Sequence, residues 1–186
     1  MIGYAFCGSF CTFSKSFEEL QKLVARGLDI IPIMIENAYS TDTRFWQSSE
    51  FCDKVEKLCG KKIIHTICEA EPLGPKISLE ALVISPCTGN TLAKIANGIT
   101  DTAVTMAAKA HLRSDRPLVV SLASNDALSA NLRNIGTLLS RKYVYFVPMI
   151  QDDPEKKPHS LVADFNLLWE TLDSALKGLQ IRKIFL

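Results

Sequence analysis

Short, uniformly apolar runs alternate along this chain with stretches whose apolar residues recur every three or four positions. Ile2-Gly3-Tyr4-Ala5-Phe6-Cys7 is the first such run and predicts a buried strand that ends at Gly8-Ser9. A helix is expected from about Ser14 or Ser16, with Phe17, Leu20, Leu23 and Val24 on its apolar face and Gly27 as its stop. Leu28 to Ile35 predicts a second strand. Pro32 inside it argues for a sheet edge or a bulge, because proline donates nothing to a ladder. After the polar stretch from Asn37 to Phe45, a helix through Phe51, Val55 and Leu58 should end at Gly60. Lys62 to Cys68 predicts a third short strand, and Glu71-Pro72-Leu73-Gly74-Pro75-Lys76 a loop stiffened by prolines on either side of a glycine.

The second half keeps the same rhythm. An apolar run from Leu82 ends abruptly in the small, polar turn Thr88-Gly89-Asn90-Thr91, after which Leu92, Ile95, Ala96 and Ile99 define one helical face. Helical sequence continues to about Arg113, interrupted near Gly98 to Asp101. Pro117 to Leu122 predicts a further strand that ends in Ala123-Ser124-Asn125-Asp126. A helix through Leu132, Ile135, Leu138 and Leu139 and a strand from Tyr143 to Val147 follow. The segment Gln151 to His159 is charged and proline-interrupted, and reads equally as a solvated loop or as a lid that orders over a ligand or partner. A last helix carries Phe165, Leu168, Leu172, Leu176 and Leu179, before the strand-like Ile181 to Leu186. Strands that alternate with helices and are apolar throughout imply a mostly parallel sheet covered on both faces. The expected fold is a Rossmann-like three-layer α/β/α sandwich, one domain over residues 1–186.

Composition narrows the function classes. Of 186 residues, 47% are hydrophobic and 22% charged, as in a folded globular chain. A net charge of +1 without a basic block gives no electrostatic case for a nucleic-acid or membrane-surface protein. No apolar run has the length to span a bilayer, and no leader pattern precedes the first strand, so a cytosolic chain is expected. The cysteines Cys7, Cys11, Cys52, Cys59, Cys68 and Cys87 form no C-x-x-C pair, and His65, His111 and His159 supply no ligand motif beside them. Reduced, mostly buried thiols are expected, with no metal site.

In an open α/β sheet, ligands bind past the carboxyl ends of the strands. Four polar loops should therefore converge: Gly8-Ser9, Ser40 to Thr43, Thr88 to Thr91, and Ser124-Asn125. Their hydroxyls, amides and small residues suit neutral hydrogen bonding to a phosphate and a heterocycle. The strand-to-helix turn at Thr88 also gathers free N–H groups at a helix N-terminus. Neither a Walker lysine motif nor G-x-G-x-x-G is present, which leaves a mononucleotide open. The plainer alternative is an ordinary loop with Thr or Asn as the helix N-cap.

Pro86-Cys87-Thr88-Gly89-Asn90-Thr91, continuing to Asp101, resembles the Pro-Ala-Ser-Ala-Asn-Thr signature of the flavoprotein family, which includes flavin-containing cysteine decarboxylases and flavin prenyltransferases. Gly8-Ser9 is similar to that family's flavin-phosphate turn, and Ser40 to Phe45 to its second phosphate-contacting segment. Glu71 to Lys76, Ser124 to Leu128, and Gln151 to Pro158 resemble one branch, the B subunits of dipicolinate synthases, nearly end to end. Two family features are missing. No histidine stands in Pro75-Lys76-Ile77-Ser78-Leu79, and Ala123-Ser124-Asn125-Asp126 replaces Pro-x-Met-Asn, which argues against peptidyl-cysteine decarboxylation.

The resemblance implies an oxidoreductase subunit that takes part in oxidising a dihydrodipicolinate-level intermediate to dipicolinate during endospore formation, in the mother-cell cytosol. It implies FMN or a similar ligand, with Gly8, Ser9, Ser40 and Thr43 at the phosphate and Thr88, Gly89, Asn90 and Thr91 along the ribityl or ring side. It also implies a partner, the A subunit of dipicolinate synthase, carrying NAD(P), and a homo-oligomer, trimeric or larger. Arg44 and Lys76 are the candidate cations for the carboxylates of a small heterocyclic dicarboxylate. No catalytic base is assigned; Lys76 and Asn125 are the candidates. The first alternative is a cofactor-free structural or regulatory partner of the nucleotide-binding subunit. Behind it stands a flavin-dependent decarboxylase.

Overall fold

Alternate residues of the first strand feed two different cores, so all of its side chains are buried. Tyr4 and Phe6 join one apolar cluster, and Ala5, with Cys7 just beyond the strand, joins the other. A computed structural model describes residues 1–74, 76–181 and 183–186. In it, β1 (Ile2–Phe6), β2 (Ile30–Met34), β3 (Ala81–Cys87), β4 (Leu118–Ser124) and β5 (Val144–Phe146) run parallel. Two short strands, β6 (Met149–Ile150) and β7 (Leu161–Ala163), pair antiparallel, and β7 continues the sheet antiparallel to the end of β4. The order is β2-β1-β3-β4-β7-β6, with β5 also on β4.

Helices cover both faces. Against the cluster of Tyr4 and Phe6 lie α1 (Phe13–Ala25), α3 (Ser48–Cys59) and, from the C-terminal part, α8 (Leu168–Leu176). The cluster of Ala5 and Cys7 is covered by α4 (Ile67–Ala70), α5 (Gly89–Ala96), α6 (Ala103–Leu112) and α7 (Leu132–Leu139). This is the expected Rossmann-like three-layer α/β/α sandwich on a mostly parallel sheet. Among the described residues no helix is long and apolar enough to cross a membrane.

Pro32 has the edge position expected of it. Odd-numbered residues of β2 bond toward β1, as Ile35 N–H does to Phe6 O, while the Pro32 carbonyl accepts from Ile64 on the outer side. Its missing donor therefore faces away from the sheet. The predicted third strand over Lys62 to Cys68 reduces to one bridge between Ile33 and Ile64. The chain turns helical at Ile67 because Thr66 and Glu69 form a capping box, each side chain bonding the other's backbone N–H. The strand expected over Ile181 to Leu186 is likewise a single bridge, Met149 to Phe185. Part of the predicted 71–76 loop, Pro75, lies outside the described residues, as does Arg182 of the final segment. Asn37 to Phe45, read only as polar, begins inside a short helix, α2 (Glu36–Ser40).

The amino rim of the sheet is closed by its own contacts. Arg116 donates to the Leu79 carbonyl at 2.7 Å and to Ser78 Oγ, and buried His111 donates from Nε2 to the Pro117 carbonyl at 2.8 Å. Gly74 (φ +107°) presses so close to α6 that a Cβ there would lie 2.8 Å from the Ala110 carbonyl carbon.

Candidate functional site

At the carboxyl rim the strand ends remain open. The ends of β1, β2 and β3 surround a cavity of about 300 Å³, to which Gly8, Asn37, Thr88, Asn90, Thr91 and Lys94 contribute polar or small surface. Phe10 and Ile35 supply its apolar wall, Glu36 at the start of α2 also borders it, and Thr102, the N-cap of α6, closes the far side. Gly8 leaves the space between that wall and the turn unfilled. A Cβ there would meet Ile35 Cδ1 at 3.7 Å and Phe10 Cε2 at 3.8 Å, both ordinary contacts, so a larger residue fits the backbone but grows among cavity-lining groups.

The turn into α5 is built by Thr88. Its Oγ1 accepts from Thr91 N–H at 3.2 Å and donates to Thr91 Oγ1 at 3.1 Å, while its carbonyl accepts from Leu92 N–H at 2.9 Å. The N–H groups of Gly89 and Asn90 are left without a protein acceptor among the described residues. Free amides and the positive end of the helix dipole favour an anion there. Lys94, one turn along the helix, adds a cation, held by Asp101 Oδ2 at 2.8 Å. That ion pair keeps the Asp101 carboxyl below its ordinary range. Beneath the turn, the hydrogen bond with Cys7 and burial push the Cys87 thiol well up.

Gly89 is packed from behind. A Cβ at this position would lie 2.6 Å from Asn131 Nδ2 and 2.8 Å from Asp126 Oδ1. Ser124 donates to Asp126 Oδ1, Asn131 to Asp126 Oδ2 at 2.9 Å, and Asn134 to Asn131 Oδ1 at 2.9 Å. The bond from Ser124, then that from Asn131, holds the Asp126 carboxyl below its usual range. This network fixes the N-terminus of α5 in place.

Of the residues named from sequence, Gly8, Thr88, Asn90 and Thr91 line the cavity, Ser9 adjoins it, and Gly89 forms its turn from behind. Ser9 is held in its own turn, its carbonyl accepting from the Thr12 hydroxyl at 2.8 Å. Ser40 and Thr43 are not in the lining. The Ser40 hydroxyl donates to Glu36 O at 2.9 Å within α2, and Thr43 Oγ1 accepts from the N–H groups of Phe45 and Trp46 at 3.2 Å. Both hydroxyls are used locally. Arg44 lies over the Phe45 ring, 4.8 Å from its centroid, and Asn125 is exposed in the turn after β4; neither lines the cavity.

Lys76 requires a larger correction. The loop that carries it leads into β3 and so belongs to the amino rim, a full strand length, about 20 Å, from the turn at Thr88. His65 is not fully buried: it stacks on Tyr39 with ring centroids 3.8 Å apart and remains partly exposed. Nor are the thiols mostly buried, since Cys11 and Cys68 are exposed and Cys59 partly so.

Asn37, Lys94 and Thr102 were not foreseen. Asn37 lies just past the end of β2, in the first turn of α2, as strand-end logic demands. Lys94 before the predicted helix break and Asp101 at its end carried a signal as a pair of opposite charges.

The flavoprotein family model matches residues 1–165. The chain belongs to the flavoprotein family. Within that family it is 44% identical over 183 residues to the B subunit of dipicolinate synthase from Bacillus subtilis (strain 168), covering 98% of this chain and 92% of the relative. The crystal structure of the dipicolinate synthase B subunit from Bacillus halodurans C superposes with a TM-score of 0.91 at 40% identity, covering 100% of this chain and 95% of that one. The FMN-dependent cysteine decarboxylase SpaF shares the fold, with a TM-score of 0.69 at 22% identity over 95% of this chain and 94% of its own. Among flavoprotein-family members, the present chain is thus similar throughout its length to the dipicolinate synthase B subunits.

Proposed function

We propose that this chain is the flavoprotein-type subunit of a dipicolinate synthase, an oxidoreductase, and that its carboxyl-rim cavity receives FMN. The observation that carries the reading is the meeting of Gly8, Asn37, Thr88, Asn90 and Lys94 in one hollow at an open helix N-terminus. The similarity to the B subunits of two dipicolinate synthases supports the reaction. Membership of the flavoprotein family supports the cofactor.

The donor set suits FMN. The amides of Gly89 and Asn90, with Lys94, favour a phosphate, and Phe10 and Ile35 offer a flat apolar surface to a ring. Bound FMN supplies a two-electron acceptor or donor. The chain's own residues do the rest. Thr88, Asn90 and Asn37 orient the ligand through neutral hydrogen bonds, Lys94 balances anionic charge, and Phe10 and Ile35 keep water from one face. Ser9 borders the phosphate end. Among the described residues Lys94 is the one cation in the lining, so the two carboxylates of the substrate call for cations from a second chain. That chain is the nucleotide-binding A subunit with NAD(P), or another copy within a trimer or larger assembly. The setting is the cytosol of the mother cell of a sporulating bacterium.

The test is dipicolinate formation by the purified nucleotide-binding subunit, measured with and without this chain. Formation only in the mixture is expected; equal rates with and without it overturn the proposal. A second reading, a cofactor-free partner, is favoured by the way Ser124, Asp126 and Asn131 bond to one another instead of facing the cavity. Under that reading Asn90→Ala leaves dipicolinate formation by the mixture unchanged.

A further inference from the structure

Away from the cavity, α1 and α3 enclose an open groove of about 570 Å³ lined by Phe17, Gln21, Trp46, Lys54, Lys57 and Leu58. Its floor is aromatic and rigid. Phe17 and Trp46 pack against the fully buried Phe51, with ring centroids 5.7 and 5.2 Å from it. Its rim is cationic. Lys54 Nζ stands 4.7 Å above the Trp46 ring, Lys57 is exposed one turn on, and Arg44 covers the neighbouring Phe45, itself 45% exposed.

Among the described residues no carboxylate lines this groove. Neither Lys54 nor Lys57 has an acidic group within 4.0 Å among the described residues; Glu50 and Asp53 stand one turn before them on α3 but form no ion pair with them. An anchored aromatic floor bordered by two lysines that hold no short ion pair has the composition of a binding hot spot. Its charge selects an acidic occupant.

We propose that this groove docks an acidic segment with apolar anchor residues, belonging to the nucleotide-binding subunit. The proposal rests on the two-subunit reading above and adds where the second subunit sits. The anchors enter beside Trp46 and over Phe17, and carboxylates of the segment pair with Lys54 and Lys57, with Arg44 nearby on the Phe45 ring. Because the groove lies outside the cavity lining, docking and flavin binding are separable.

The test uses the full-length chain and the separately purified nucleotide-binding subunit, with association followed by calorimetry at low and high salt. Wild-type chain should bind, more weakly at high salt. Lys54→Glu combined with Lys57→Glu should weaken association at least about tenfold and remove the salt dependence, with Tm and FMN affinity unchanged. Lys54→Arg with Lys57→Arg should restore binding. Undiminished binding by the charge-reversed chain overturns the docking site alone. A change in the chain's own oligomeric mass on charge reversal also overturns it, assigning the groove to a second copy. If the wild-type chain fails to bind its partner under any of these conditions, the two-subunit reading falls, and the docking site with it.

Discussion

The two rims of the sheet are made from the same kinds of residue and end in opposite conditions. At the amino rim, polar groups are consumed by one another: Arg116 by Leu79 and Ser78, His111 by Pro117, the Met1 ammonium by Glu80. At the carboxyl rim, Thr88 caps its helix yet leaves the Gly89 and Asn90 amides unused, and Gly8 and Asn90 face a hollow that Lys94 borders from its pair with Asp101. Unspent hydrogen-bonding capacity next to a cavity marks where a ligand belongs; hydroxyls and cations by themselves do not. The difference follows from chain direction. Parallel strands deliver helix N-termini, with their free amides, to one rim only.

Changes at the closed rim should cost stability and spare the ligand. The largest effect expected is from Gly74→Ala, which combines a positive φ with a Cβ driven into the Ala110 carbonyl. A loss of about 3 kcal/mol, or roughly 10 °C in Tm for a chain of this size, should appear in thermal unfolding, with FMN affinity of the folded protein intact. Changes at the open rim should do the reverse. Asn90→Ala should weaken FMN binding about tenfold, near 1.4 kcal/mol for one good hydrogen-bonding group, with Tm shifted by less than about 2 °C.

A smaller effect is carried by pH. Burial holds His111 below its ordinary pKa, and its Nδ1 is buried without a partner among the described residues, so protonation finds no acceptor. The unfolded chain, titrating near about 6.5, takes up the proton first. Stability is therefore full above that pH and declines as pH falls toward the folded value. Tm measured between about pH 7 and pH 5.5 should fall, and His111→Gln should flatten that part of the slope. The smallest effect is from Lys76→Ala, which should change neither the free energy of FMN binding nor that of unfolding by more than about 0.5 kcal/mol. A marked loss of FMN binding there would breach the division between the rims.

Much of this was written in local pattern. Gly27 and Gly60 end α1 and α3 in the left-handed region, as their spacing implied, and Pro32 marks the outer strand of the parallel run. Glycine and proline act through their own backbones, so their message survives without tertiary context. The capping box Thr66-x-x-Glu69 was equally local, but the apolar residues around it suggested a strand. At two and three residues, β6 and β7 are too short to show a period. The site was legible at Gly8 and Thr88 to Thr91, where one strand hands over to one helix. Ser40 and Thr43 misled because a serine or threonine hydroxyl is readily absorbed by a neighbouring backbone group. Lys76 misled for a reason open to correction from sequence alone: a loop that leads into a parallel strand lies at the rim opposite the ligands.

The most direct measurement is a fluorescence titration of FMN with the wild-type chain and with Gly8→Leu, whose backbone accepts a side chain while the cavity does not. The prediction is saturable binding by the wild type with a Kd of about 10 μM or tighter, and at least about a tenfold loss in Gly8→Leu at unchanged Tm. No binding by the wild type, or equal binding by both proteins, would contradict the assignment of the carboxyl-rim cavity to a flavin.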